Sequence, residues 1–341
     1  MTEQRQAKGH MTAAVAAAIA VFSFLFAPAH GHQPPEGPDG TTGTLAQGEW
    51  RGVRYGQRGG GGLPPDANQV MDVFAPSLSP SQVPAAVMFI HGGMWTYGSR
   101  NYYRRETREK FLERGFVFCS PEFILQSPPV DPPEKEAVFP AMLADIDLAT
   151  SRLKTFLSRL GIQPAKFIIA GESSGGHLAL MYAYDKADPS VLGLGLKHEI
   201  DYDAAVGIAS PVDLLTIDGG EPSASLNPLD PRLMVRIVVK RLVGLADNAT
   251  DEELIPLVFK WSPVNLVRAE STPTILAYGK FPFLSSDGIV PSAQMKALTG
   301  RLDQCGVKHV SRTLSWTRHD MVAAEAADWI CDRILDIGAS R

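Results

Sequence analysis

One pentapeptide constrains this chain more than any other stretch. Gly171-Glu172-Ser173-Ser174-Gly175 lies between an apolar run, Phe167–Ala170, that reads as a strand and an apolar segment, Gly176–Tyr184, that reads as a helix. Gly-x-Ser-x-Gly in that context describes a strand-to-helix turn so tight that the serine backbone is strained. The residues two before and two after the serine must then be small, and both are glycine, Gly171 and Gly175. Such a turn lifts the Ser173 hydroxyl clear of the sheet, at a helix N-terminus whose dipole favours negative charge. Ser173 is therefore a candidate nucleophile; the plainer alternative is a Gly/Ser-rich turn.

The surrounding pattern fits a turn of this kind. Val70–Phe74, Ala85–Ile90, Gly115–Pro121, Ala204–Ala209, Pro273–Tyr278 and His309–Leu314 read as further strands. Tyr102–Arg114, Ala141–Leu160, Ser292–Gln304 and Met321–Ile337 read as helices between or after them. Alternation of strand and helix predicts an α/β fold, a mostly parallel central sheet with helices on both faces. Residues 226–260 depart from the alternation, with two amphipathic stretches, Met234–Val243 and Asp251–Phe259, and no strand between them. That insert reads either as a lid or as a plain pair of connecting helices.

Composition narrows the partners. Hydrophobic residues are 45% and charged residues 20% of the 341, an ordinary globular balance. A net charge of −5 without a basic block argues against nucleic acid as the main partner. Three cysteines exclude a disulfide scaffold and a multi-cysteine zinc site, and no His/Asp/Glu cluster has metal-ligand spacing. Neither a metal nor any other cofactor is expected.

At the start of the chain, Arg5 and Lys8 precede an uncharged run, Met11–Ala27, and the small-x-small site Ala27-Pro28-Ala29. That order predicts a signal peptide over 1–29 and an exported protein, periplasmic or extracellular, with no membrane span after cleavage. A retained anchor is the rival, which would need about 20 apolar residues. Residues 30–49 have a Gly/Pro-rich linker composition, and 50–341 read as one domain. Gly59–Gly62 lack the Lys-Ser/Thr of a phosphate loop and read as a plain loop.

Serine attack on an acyl carbon needs three further parts. The first is a set of N–H donors for the oxyanion, each worth about 3–4 kcal/mol. His91-Gly92-Gly93-Met94-Trp95 follows the strand Ala85–Ile90, and Gly-Gly there lets the backbone turn N–H groups into a cleft. Gly93, Met94 and Ser174 are the candidate donors. The second is a base. Of the eight histidines, His319, between the last strand and the final helix, lies where the fold delivers a side chain to the carboxyl edge of the sheet. His177, four residues after Ser173, reads as packed along its helix. The third is an acid lying between serine and histidine in chain order. Asp287, after the strand Pro273–Tyr278, meets that order. Asp303 lies inside a helix, and Asp320 is adjacent to His319, a poor geometry for a side-chain pair.

On these motifs, together with Met71–Pro76, Phe139–Asp145, Gly171–Leu180 and Ser262-Pro263, the chain resembles the α/β-hydrolase superfamily from about Met71 to its end. The resemblance is to the carboxylesterase/lipase branch, with its hormone-sensitive-lipase-like and feruloyl-esterase-like members. It implies Ser173 as nucleophile, Asp287 as acid and His319 as base, acting on small ester molecules without a cofactor. Amide hydrolysis of the arylformamidase kind, and a non-catalytic binding protein on the same scaffold, are the alternatives. Met94 stands where the motif has a third glycine, which narrows the acyl pocket. Glu122-Phe123-Ile124-Leu125 stands where the family has Asp-Tyr-Arg-Leu, so a customary buried arginine is missing. Gly279 to Asp287 is a longer run than usual.

Overall fold

A computed structural model of the chain describes residues 48–56, 69–76, 82–126, 137–217, 231–281 and 286–337. The expected signal peptide over 1–29, residues 30–47 of the expected linker and the four-glycine run lie outside these residues. Among the described residues the main sheet has eight strands: β1 (Glu49–Arg54), β2 (Val70–Phe74), β4 (Ala86–Ile90), β5 (Val117–Pro121), β7 (Phe167–Glu172), β8 (Ala204–Ile208), β9 (Thr274–Lys280) and β10 (His309–Ser315). Their order is β1-β2-β5-β4-β7-β8-β9-β10. β2 runs antiparallel to both its neighbours, and the pairs from β5 to β10 are parallel. A second sheet pairs the two-residue strands β3 (Gln82–Val83) and β6 (Gln163–Pro164).

The parallel strands are apolar because both their faces are covered. Along β4, Val87 and Phe89 enter one apolar cluster, while Ala86, Met88 and Ile90 enter the other. This is the period-two alternation of a strand buried on both sides. One face is covered by α1 (Arg105–Glu113) and α8 (Val322–Asp336), through Phe111, Ala326, Ile330 and Ile334. The other is covered by α2 (Phe139–Arg159), α3 (Ser174–Asp185) and α7 (Ala293–Cys305). Six parallel strands therefore present their carboxyl ends along one edge, where the loops that follow β4, β7, β9 and β10 meet.

The insert holds α4 (Pro231–Leu242) and α5 (Asp251–Lys260), followed by the single turn α6 (Pro263–Leu266). Val238, Val239 and Leu242 of α4 pack on the core, as do Leu254 and Val258 of α5. Thr250 caps α5 in a reciprocal box with Glu253. Ile255 and Phe259, one turn apart, remain on its exposed side.

Several boundaries differ from the sequence reading by one to three residues, and two of them matter most. Glu49, assigned there to the linker, already opens β1. The helix expected from Gly176 starts at Ser174, immediately after the nucleophile candidate, because the turn consumes only Ser173 itself.

Candidate active site

Ser173 is the N-cap of α3, with φ 53° and ψ −128°, a conformation that costs a non-glycine residue about 1–3 kcal/mol. Its neighbours over-determine it. The Ser173 N–H donates to Ile208 O at 2.8 Å, and its carbonyl accepts from the His177 N–H at 3.1 Å. A Cβ on Gly171 would strike the Gly175 backbone, and one on Gly175 would strike the Ile90 and His91 carbonyls. Both glycines are thus required by close approach. Gly92 brings the loop after β4 against the elbow: a Cβ there would lie 3.2 Å from Ser173 Cβ and 3.1 Å from Glu172 O.

Asp287 and His319 are in direct contact. His319 Nδ1 donates to Asp287 Oδ2 at 2.8 Å, and the His319 N–H donates to the Asp287 carbonyl at 3.1 Å. The other carboxylate oxygen, Oδ1, accepts from Val290 N at 2.8 Å and Ile289 N at 3.0 Å. Asp287 is buried, with 2% of its surface exposed, and among the described residues its long-range side-chain hydrogen-bond partner is the imidazole. Burial alone would lower the His319 pKa, but Asp287, then Glu172 and Asp320, outweigh it, and the net shift is upward.

Gly279 permits this convergence. A Cβ there would lie 2.5 Å from Thr317 O and 2.9 Å from both Asp287 Cβ and Val322 Cγ2. The sequence reading passed over this residue, since a glycine at the end of a strand reads as a turn.

In the loop after β4, Gly93, Met94 and Trp95 have successive positive φ values of 119°, 54° and 61°. Met94 thus holds a left-handed conformation that its motif position fills with glycine. Two histidines are structural: burial pulls each to about 4, so both are neutral. His91 Nδ1 donates to Gly92 O at 2.8 Å, and its ring stacks on Phe123. His177 Nε2 donates to Trp261 O at 2.8 Å, while Nδ1 accepts from Trp95 Nε1 at 3.3 Å. His198, in the connection between α3 and β8, is bonded to the buried Asp185 at 2.9 Å.

Three arginine pairs, on the two carboxylates Asp72 and Asp320, escaped the sequence reading. Arg100 Nε donates to the buried Asp72 at 3.0 Å, and its backbone N–H donates to Glu122 Oε2 at 2.5 Å. Arg51 joins Asp72 at 2.7 Å, so guanidinium groups do reach this region, from other parts of the chain than Glu122–Leu125. Arg104, at the start of α1, donates to both the carbonyl and the carboxylate of Asp320. Glu172, half-buried beside Ser173, is pushed up to about 7 by burial, against the opposing charges of His319 and Arg104.

The structure thus joins Asp287 to His319 and sets Ser173, with the Gly92–Trp95 loop, at the same sheet edge. The 2.8 Å bond through Nδ1 orients the imidazole and makes Nε2 the nitrogen that can act on a proton.

Comparison with known proteins bears on the family and the fold. The chain is 26% identical over 279 residues to Esterase LipQ of Mycobacterium tuberculosis (strain ATCC 25618 / H37Rv), covering 80% of this chain and 59% of that protein. The chain thus spans little more than half the length of that relative. Esterase B from Lactobacillus rhamnosis (HN001) superposes with a TM-score of 0.66 at 17% identity, over 98% of this chain and 96% of the other. A truncated carbohydrate esterase from gut microbiota gives 0.63 at 19%, over 89% and 99%. At those identities the two structures speak for the fold alone, the α/β-hydrolase fold. The BD-FAE family model matches residues 71–302, more than half of the sequence, from within β2 to within α7, and the chain belongs to that family.

Proposed function

We propose that this protein is a carboxylic ester hydrolase in which Ser173, His319 and Asp287 form and resolve an acyl-enzyme. The observation that carries the reading is the 2.8 Å bond from His319 Nδ1 to the buried Asp287 carboxylate, at the edge where Ser173 stands on its strained turn. With Nδ1–H committed to Asp287, the neutral imidazole keeps its Nε2 lone pair for the Ser173 proton. The Ser173 oxygen then bonds to the ester carbonyl carbon, and the carbonyl π pair moves to oxygen. Gly93, Met94 and Ser174 N–H groups receive that oxyanion. The imidazolium, stabilised by Asp287, gives its proton to the leaving alkoxide as the C–O bond breaks. Water, deprotonated by the same imidazole, releases the acid and restores Ser173. The kinship with proteins named as esterases supports a small ester as the substrate.

The test is hydrolysis of short p-nitrophenyl esters together with labelling by a fluorophosphonate. The wild-type protein is expected to turn over the esters and to be labelled at Ser173; folded Ser173→Ala is expected to do neither. Unchanged turnover in that variant removes the nucleophile assignment, and preference for formanilides over esters would make the protein an amidase. We further propose export, on the ordering of the first 29 residues; N-terminal sequencing of the protein from a periplasmic or culture fraction checks it, and a retained Met1 overturns it. No described helix is long and apolar enough to cross a membrane.

A further inference from the structure

We propose that Arg104 is a positioning residue that clamps the base-bearing turn to the segment carrying the oxyanion donors. The inference rests on the esterase reading above and adds a part to it.

Arg104 caps the start of α1, ten residues after Met94. Its Nε donates to the Asp320 carbonyl at 2.6 Å, and its Nη2 donates to the Asp320 carboxylate. Asp320 is the residue after His319, within the 3-10 turn His319–Met321. One planar guanidinium thus grips main chain and side chain together, across 216 positions of sequence. A single cation on a flexible stem could not hold both acceptors in a fixed relation.

The ground on either side of this contact is fixed. Behind Arg104, α1 and α8 pack against each other, and Arg114 on α1 pairs with Asp332 on α8 at 2.9 Å. Ahead of it, Arg100 ties the same segment to Asp72. The stretch from Gly93 to Arg104 is therefore held at its middle and its end, and its end holds the turn of His319. Arg318 also reaches Asp320, at 2.9 Å and 3.2 Å, but only through the carboxylate. It belongs to the same turn, is largely exposed, and cannot tie that turn to α1.

The clamp also sets the charge around the base. The imidazole faces Asp287 from the segment after β9, Glu172 from the end of β7 and Asp320 from its own turn, and each favours the imidazolium. Arg104 acts on two of the three: it is a partner of Asp320, and its charge favours the ionised form of Glu172. Tyr102, pushed up to about 12 by burial and by Glu172 and Asp320, stays neutral and contributes no charge.

The experiment compares Arg104→Met, Arg104→Lys and Asp320→Asn with wild type, all in the full-length protein and all checked by thermal melting. Arg104→Met is expected to lose about 10- to 100-fold in kcat, the scale of a misplaced catalytic group. KM should stay within about twofold, since binding contacts are untouched. The acid limb of kcat/KM should move up by roughly half a pH unit, as Asp320 is left with Arg318 alone and Glu172 loses the Arg104 charge; proton uptake by Glu172 offsets part of that shift. Arg104→Lys keeps the charge without the two-point grip, so its kcat should fall while its limb stays in place. In the Asp320→Asn background, Arg104→Met should cost less than it does alone. Folded Arg104→Met and Arg104→Lys with wild-type kcat and an unmoved limb would overturn the clamp. If Arg104→Met does not fold, wild-type kcat in both Arg104→Lys and Asp320→Asn overturns it equally. Fluorophosphonate labelling separates the two readings: a wild-type protein left unlabelled at Ser173 defeats the esterase reading and the clamp with it, whereas a labelled protein with unaffected Arg104 variants defeats the clamp alone.

Discussion

Asp287 divides its two oxygens between two tasks, and the division predicts what a single atom change does. Oδ1 holds the local turn through the Ile289 and Val290 N–H groups, while Oδ2 accepts from the His319 imidazole. Asp287→Asn keeps an oxygen for one task only, so the amide either loses the turn or presents N–H to Nδ1 and imposes the wrong tautomer. Loss of about 10⁴ in kcat is expected, as for the corresponding change in the best-studied triad; ester turnover near the wild-type rate would place the acid elsewhere. The pH dependence follows from the same bond. The His319 pKa is raised above the ordinary 6.5, so the basic form appears only above that value. The sign for stability is opposite to the sign for activity. A raised histidine contributes its full stabilisation below the unfolded pKa and loses it as pH rises through the folded one. Activity should therefore climb, with a midpoint above 6.5, across the window in which the melting temperature begins to fall. Glu172 is one of the groups raising His319, so Glu172→Gln should move the limb down. Rate profiles and melting curves over one buffer series check both statements, and a wild-type midpoint below 6.5 or an upward shift in Glu172→Gln contradicts them.

At the scale of elements, the site exists because β9 and β10 deliver their following loops to one point, and Gly279 is where they nearly touch. Gly279→Ala should cost about 1–3 kcal/mol, the usual range for overpacking, because two of the three atoms a Cβ meets belong to backbone or to the Asp287 stem. It should also lower kcat by separating Asp287 from His319. Chemical denaturation and ester turnover measure the two effects, and a variant with wild-type stability would show that the loops can part freely. The same geometry explains what could be read from sequence. The buried parallel strands were legible as short apolar runs between turn residues, and Ser173, Asp287 and His319 as residues at strand ends in a fixed chain order. The strand β1 was not, because Glu49-Trp50-Arg51 lies at the sheet's end, where charged side chains reach solvent and no continuous apolar run forms. Strands β3 and β6 have two residues each, below the length of any periodicity. The Arg104–Asp320 contact joins residues too far apart for spacing to relate them, and the positive φ of Met94 is imposed by the loop against the propensity of the residue.

For the whole molecule, the sheet separates Cys331 from the other two cysteines, and this decides how the protein behaves under oxidising conditions. Cys119 lies on β5 with its Sγ among Met71 and Met88, sealed inside one face of the sheet. Cys305 ends α7 on that same face, whereas Cys331 lies in α8 on the other. Helices on opposite faces stand on either side of a strand layer, and neighbouring layers pack about 10 Å apart. A disulfide needs Cα atoms within about 7 Å, so Cys305 and Cys331 cannot pair without unfolding. Chemistry adds to geometry, because the thiolate is the species that exchanges. Burial raises Cys119 well above its usual value and pushes Cys331 up to about 12, so neither ionises at neutral pH. Purified under oxidising conditions, the protein should contain no Cys305–Cys331 bridge, and dithiothreitol should change its melting temperature by less than about 2 °C, a shift worth under about 1 kcal/mol for a chain of this size. Non-reducing peptide mapping reads the first statement directly. A Cys305–Cys331 peptide pair, accompanied by a large fall in melting temperature on reduction, would mean that α7 and α8 do not flank the sheet as described.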